Sequence, residues 1–281
     1  NLRTPSGVSY MLESRKISQK LMPDLCSSNN LQGIEQYPTL LRAILEENAY
    51  VDKPFIVVLT PGRFNSAYYE HAFLAREMDV PLVTSRDLFV ENDKVFAKTI
   101  RGRQQVDVIY RRVDDEFLDP LVFRADSTLG VAGLMSAYLQ NNVVIANAPG
   151  TGVADDKSIY PYVDQMIQYY LGETPILSNV PTYQCRDSEQ LDYVLNNLEK
   201  LVVKEAQGSG GYGMLIGPQA DQQQIEQFRQ KIMQTPHLYI AQPTLALSVA
   251  PTLTTDGVAE RHIDLRPFVL SSPYRTEIVP G

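Results

Sequence analysis

The feature that most limits what this chain can fold into is the stretch from residue 201 to 217, LVVKEAQGSGGYGMLIG, in which five glycines fall within ten residues. An apolar run carrying one lysine, Lys204, precedes them, and a second apolar run follows. The segment Gly208-Ser209-Gly210-Gly211-Tyr212-Gly213 satisfies G-x-G-x-x-G, but that spacing signals a dinucleotide fold only where a helix opens after the last glycine. Here Met214-Leu215-Ile216 runs into the turn signal Gly217-Pro218, so the pattern predicts strand, glycine loop, strand. Such a loop leaves backbone N–H groups facing an anion, and a lysine on the incoming strand supplies charge that amides alone lack. Alternation places Lys204 on one face with Val202 and Ala206. The plain alternative is a flexible hairpin with a solvated lysine.

Composition narrows the class of protein around this flap. With 281 residues, 44% hydrophobic and 21% charged, the chain has the makeup of a soluble globular protein, built as one large domain or two ordinary ones. A net charge of -8 without any basic stripe argues against a nucleic-acid partner. Cys26 and Cys185 are too few for a disulfide framework and read as free thiols of a reducing cytoplasm. His71, His237 and His262 are too scattered for a zinc site, and His71 reads as a packing residue in mid-helix. No apolar run approaches the roughly 18 residues of a membrane span. Beginning at Asn1 and stopping at Gly281 after an apolar-polar alternation, the chain reads as a segment cut at both ends.

Three regions are expected: 1–53, 54–150 and 151–281. In the first, Thr4-Pro5-Ser6 looks like the entry to a helix ending before Pro23, and residues 38–48 repeat Leu40, Leu41, Ile44 and Leu45 on one helical face. The second alternates β-rich runs (55–60, 81–84, 107–112, 142–147) with helices expected near 66–78 and 129–140, the texture of a parallel α/β unit. A hairpin turning at Asn92-Asp93 is inserted in it. Arg111, Arg112, Asp114 and Asp115 lie at a strand's carboxyl end, where they either meet a ligand or pair with one another on the surface.

The third region opens with Ala154-Asp155-Asp156-Lys157, expected to start a helix reaching Leu171. Asp187 caps the next helix, the flap follows, and a further helix runs over 221–234. Tyr239-Ile240-Ala241-Gln242-Pro243 reads as a strand broken by proline, leaving edge groups of the kind that adenine reads. The run AERHIDLRPFVL, returning from a turn at residues 255–257, alternates strictly, which predicts Glu260, His262, Asp264 and Arg266 on one face, lining either a cleft or a solvated edge.

Taken in order, DDK at 155–157, VVKEAQGSGGYGM, IAQP and HIDLR resemble the parts of ATP-grasp ligases. Conventional members finish on a strand ending E-x-N-x-R, whereas this chain begins Asn1-Leu2-Arg3. That order, with NLRTPSGVSYMLESR, RRVDDEFLDP and GTGVADDK, resembles the circularly permuted ATP-grasp proteins related to glutathionylspermidine synthase. The resemblance implies an α/β, circularly permuted ATP-grasp fold in which a flavodoxin-like parallel unit accompanies a two-lobed nucleotide cleft. It further implies that Lys157 and Lys204 hold phosphate oxygens, that residues Gly208 to Gly213 close over the triphosphate, and that Gln242 binds adenine. Asn1 would be a magnesium ligand, Arg3 would steady the transferred phosphate, and His262, Asp264 and Arg266 would line the same cleft. ATP and Mg2+ are the cofactors so implied. The reaction implied is amide formation between a small-molecule or peptide carboxylate and an amine through an acyl phosphate. The alternative is a nucleotide-binding module without catalysis that acts through a protein partner.

Overall fold

Ile56, Val57, Val58 and Leu59 are all buried, as a strand covered on both faces must be. They form β1 of a computed structural model that describes residues 4–29, 31–208 and 213–280. The chain separates into two units, one made of Asn1–Gly152 with Leu265–Gly281 and the other of Val153–Asp264.

The first unit begins with helices α1 (Val8–Leu21), α2 (Pro23–Ser28) and α3 (Tyr37–Glu47). After β1 (Ile56–Leu59) come α4 (Tyr68–Glu77), β2 (Leu82–Val83), β3 (Leu88–Glu91), β4 (Lys94–Thr99), β5 (Gly102–Gln105), β6 (Val108–Arg111), α5 (Leu134–Leu139) and β7 (Val144–Ala146). Strands β2-β1-β6-β7 pair in parallel in that order, which is the flavodoxin-like order when only the sheet's own strands are counted. Alternation decides which core each side chain enters. Ile56 and Val58 pack with Leu41, Leu45 and Leu74, while Val57 and Leu59 pack with Leu118, Leu134 and Ile145. The inserted hairpin turns at Asn92 and Asp93, both at positive φ, and a third antiparallel strand, β5, extends it beyond what the sequence predicted.

Two helices differ from expectation. Thr4-Pro5-Ser6 does not open α1, which starts at Val8 after Gly7 at φ 102°. Its N-terminal groups are taken by a carboxylate from another helix: Gly7 N, Ser9 N and Ser9 Oγ donate to Glu70 Oε2 at 2.8, 3.1 and 3.0 Å. The helix expected over 129–140 contracts to α5. Gly130 lies so close to the Phe117 and Leu118 carbonyl oxygens that a Cβ there would come within 2.0 and 2.3 Å, and the segment before α5 packs as a loop.

The tip after β6 is also not a surface ion pair. Arg111 and Arg112 are buried, at 0% and 4% exposure. Arg111 donates to the Asn147, Val113 and Ala148 carbonyls at 2.6, 3.0 and 3.1 Å and pairs with Asp115 at 2.7 Å. Arg112 pairs with Glu70 at 3.1 Å and donates to the Pro5 carbonyl.

In the second unit, residues Lys157–Tyr162 form a 3-10 turn and the helix α6 begins only at Val163, running to Leu171. Pro161 accounts for the late start, because it has no N–H to donate to the Lys157 carbonyl four residues before it. Next come β8 (Tyr183–Gln184), α7 (Ser188–Leu195), β9 (Leu201–Glu205), β10 (Met214–Ile216), α8 (Gln222–Gln234) and β11 (Tyr239–Pro243). Asp187 caps α7 through Gln190 N at 3.0 Å, and Asp221 with Gln224 forms a capping box on α8.

The sheet order is β10-β9-β11-β8. Contrary to the edge reading, β11 is interior: Ile240 and Ala241 pair with β9 on one side and β8 on the other. Pro243 falls on the strand's last residue, where a missing N–H interrupts nothing.

β12 (Val249–Thr254) and β13 (Gly257–His262) form a separate two-stranded ribbon. The alternating run read as one strand is thus two. β13 ends at His262, and after residues 263–267 the chain returns to the first unit as β14 (Phe268–Ser271), paired only with β15 (Thr276–Val279). Glu260, His262, Asp264 and Arg266 therefore do not share a strand face. The ladder ends at the Val249–His262 pair, where β12 begins, and Pro267 further on donates no ladder bond.

His71 is the packing residue expected from the sequence. It is 2% exposed, 2.8 Å from Thr60 Oγ1 through Nδ1, and burial first, then the Arg112 charge, lowers its pKa from 6.5 to about 4. Between those values the unfolded chain binds the extra proton, so the stability contributed by neutral His71 is present above pH 6.5. It is lost as the pH falls toward 4, by roughly 3 kcal/mol in all. His71→Gln should flatten the acid limb of the stability profile in that window by a comparable amount, as read from urea unfolding midpoints.

Candidate functional site

The two faces of the second unit's sheet do different work. Leu201, Val203, Leu215 and Ala241 join Val194, Ile225 and Ile232 in the core beneath α7 and α8. The intervening residues face the other way. Across that second face the register aligns Gln184, Ile240, Lys204 and Met214 on four adjacent strands, with Gln242 opposite Val202 on the next row. A half-buried lysine on a strand's outer face costs desolvation unless something accepts its hydrogen bonds. Gln242 does so: its Oε1 takes a bond from Lys204 Nζ at 2.8 Å, and its Nε2 donates to Thr182 Oγ1 at 2.9 Å.

Lys157 reaches the same neighbourhood from the 3-10 turn. Asp156 caps that turn by accepting from Ser158 N and Oγ at 2.9 and 2.7 Å, and it also accepts from Gln207 Nε2 at 3.3 Å. Burial pulls the Asp156 carboxyl upward, but these hydrogen bonds and the Lys157 charge hold it below its ordinary value. The Lys157 backbone N–H donates to Ala206 O at 2.9 Å, and Nζ donates to the Glu205 and Ala206 carbonyls at 3.0 and 3.4 Å and to that of Gly208. One lysine thus ties the root of the glycine loop to the turn before α6.

Both lysines are pushed below the ordinary lysine range. For Lys157 the cause is burial, opposed by Asp156 and Glu205; for Lys204 it is burial, then repulsion from Lys157. Two ammonium groups close enough to repel, each partly stripped of water, gain most from an anion. The face also holds an acceptor without a donor, since Gln184 Oε1 is buried and has no hydrogen-bond partner. These features fit a ligand with a polyanionic end and a donor-bearing ring, as ATP has.

Of the glycines, Gly208 and Gly213 are described, and Ser209, Gly210, Gly211 and Tyr212 lie outside the described residues. Gly213 sits at φ 64°, and a Cβ there would come within 2.5 Å of the Glu205 carboxyl carbon, so the Glu205 side chain fills the space at the loop's base. Asn1 and Arg3 also lie outside the described residues. Among the described residues no group of three His, Cys, Asp or Glu side chains could hold a metal. His262 and Asp264 are exposed at and just beyond the end of the β12–β13 ribbon, and Arg266 belongs to the first unit. The structure thus brings together Lys157, Lys204, Gly208, Gly213 and Gln242, and does not add His262 or Asp264 to them through any described contact.

Sequence reasoning missed Thr182, Gln184 and Glu205. Only Glu205 left a signal, as the carboxylate next to Lys204 at the mouth of the loop; the other two become visible once β8 is paired with β11. Gln242→Leu is expected to leave the Lys204 ammonium without its acceptor and to lower unfolding stability by about 1–3 kcal/mol. Thr182→Val should cost about 1 kcal/mol, and both are measurable by urea unfolding.

Residues 1–281 match the family described as circularly permuted ATP-grasp type 2. An uncharacterized protein of Synechocystis sp. is 52% identical over the whole chain, which covers 59% of that relative. An uncharacterized protein of Mycobacterium tuberculosis is 47% identical over the whole chain, which covers 51% of it. A Frankia alni protein provisionally named glutamate–cysteine ligase 2-3 is 42% identical over 96% of the chain and 32% of its own length. The chain therefore spans little more than half the length of the first two relatives and about a third of the Frankia protein.

Proposed function

This chain belongs to the circularly permuted ATP-grasp type 2 family, and we propose that it supplies the nucleotide-binding machinery of an ATP-dependent ligase that joins a carboxylate to an amine. The observation that carries the reading is the convergence of Lys157 and Lys204 beside the root of a glycine loop, with Gln242 fixing Lys204 and an unpartnered acceptor on Gln184.

In this reading Lys204 and Lys157 neutralise phosphate oxygens, and the loop between Gly208 and Gly213 presents backbone N–H groups to them. Gln242 and Gln184 orient the base. Asn1 is proposed as a magnesium ligand and Arg3 as a partner of the transferred phosphate, while His262, Asp264 and Arg266 are proposed to border the reacting groups. ATP, when bound, supplies the phosphoryl group that activates the carboxylate, and the finer proposal is that activation yields an acyl phosphate from which an amine displaces phosphate. Catalysis of this kind rests on positioning and charge neutralisation and needs no protein nucleophile.

The provisional name of the Frankia relative, glutamate–cysteine ligase, supports a carboxylate and an amine as substrates. The likeness to glutathionylspermidine synthase and a cytoplasmic setting belong to the same proposal. Among the described residues no helix is long and apolar enough to cross a membrane.

Lys204→Ala should weaken ATP binding about 10- to 100-fold, the cost of losing hydrogen bonds to a charged group, with the unfolding cooperativity retained. Phosphate oxygens raise the proton affinity of both lysines, so binding takes up protons. ATP affinity should then fall as the pH is raised through the alkaline range where these lowered lysines titrate. Calorimetric titrations across that range test the sign, and an affinity that rises would count against the site. Magnesium-dependent ADP release that requires both an acid and an amine marks a ligase, whereas binding without turnover marks the non-catalytic module.

A further inference from the structure

Asp156 precedes Lys157 in the chain, yet its carboxylate bonds elsewhere. Its Oδ1 accepts from Ser158 N and Oγ at 2.9 and 2.7 Å, and its Oδ2 accepts from Gln207 Nε2 at 3.3 Å. All three donors are neutral. The Lys157 ammonium donates instead to the Glu205 and Ala206 carbonyls at 3.0 and 3.4 Å and to that of Gly208. Had the two side chains formed a direct ion pair, an incoming anion would have to displace the carboxylate before it could reach the ammonium.

From this arrangement we infer that Asp156 is a positioning residue. Through Ser158 and Gln207 it fixes the turn that carries Lys157 against the root of the glycine loop, and its charge favours the ammonium form of Lys157 without pairing with it. That the anion served is the triphosphate of a nucleotide rests on the function proposed above. Asp156 acts through the lysine and is not itself a contact for the ligand.

The charges around Lys157 show why such a residue is needed. Burial lowers the proton affinity of Lys157, and Asp156 and then Glu205 of β9 raise it, while Lys204 on the same strand is repelled by Lys157. The Glu205 side chain fills the space at the base of the loop beside Gly213. With Asp156 neutral, burial would be opposed among the described residues by Glu205 without help. Asparagine and serine cap a turn about as well as aspartate, so either replacement removes the charge and keeps the cap. A carboxylate that served only as background charge would repel phosphate, and its removal would strengthen ATP binding at every pH.

The test reads the lysine directly and the nucleotide separately. With lysines labelled at Cε, and Lys157 assigned by the signal missing from Lys157→Arg, the free chain is titrated with and without Asp156→Asn. The Lys157 signal should titrate at a lower pH in Asp156→Asn, with the urea unfolding midpoint kept. In the alkaline range where Lys157 titrates, ATP should bind Asp156→Asn about threefold more weakly than the native chain, and near neutrality the two should bind alike. Asp156→Ser carries the same comparison with a shorter side chain. In the Lys157→Ala background, Asp156→Asn should no longer weaken ATP binding. An unmoved Lys157 titration, tighter ATP binding at every pH, or an equal loss in the Lys157→Ala background would overturn the inference. If the Lys157 titration moves but the native chain binds no ATP, the nucleotide reading fails while the action of Asp156 on Lys157 stands.

Discussion

Glu70 is the side chain on which the first unit's arrangement depends. At 2% exposure it meets Arg112 at 3.1 Å, and its other oxygen accepts from Gly7 N, Ser9 N and Ser9 Oγ. Burying a carboxylate and a guanidinium costs several kcal/mol each, and their mutual attraction returns that only when the remaining lone pairs and protons are also used. Glu70 meets the condition fully. Arg112 meets it less completely, since its buried Nε has no partner. The pair is therefore better understood as a device of position than of net stability. It fixes α4 to β6 and replaces a local cap on α1, and it holds the loop of Pro5 and Gly7 where that loop becomes one wall of a cavity.

How much of this could be read from the sequence follows from the range of each interaction. Short apolar runs such as residues 56–59, the Asn92-Asp93 turn and the Asp187 cap are set by neighbours in the chain, and all were legible. Glu70 capping a helix that begins at Val8 spans more than 60 residues, and no local pattern announces it. Gly130 illustrates the same limit from the backbone side. Its flanking residues suit a helix, but Val131 N donates to the distant Leu118 carbonyl at 2.9 Å, and Gly130 lets the backbone lie against the Phe117 and Leu118 carbonyls.

Pairing partners were the other blind spot. A proline in Tyr239–Pro243 argued for an edge strand, but its terminal position spares the ladder, and β11 is flanked on both sides. Strict alternation from Ala259 to Leu270 argued for one strand, although an alternating pattern says nothing about whether a neighbour exists along its whole length. Within the candidate site the charged parts were legible and the supporting parts were not. Lys157, Lys204 and Gln242 stand out as residue types, whereas Thr182 and Gln184 acquire a role only through the register of β8 against β11.

The charge of the chain poses a last question, since a net -8 is an odd vehicle for the anion binding proposed above. Exposed charges are screened beyond about 8 Å at physiological ionic strength, so the overall sign governs approach more than occupancy. Occupancy is set by the nearest few groups and by how much water they have lost. Lys157 and Lys204 have lost enough to be displaced from the ordinary lysine range, and one of them repels the other. An anion that relieves both gains locally what the distant carboxylates cannot take away through screened solvent. An acidic surface and the proposed anion site are thus compatible because burial, not charge count, decides which lysines matter.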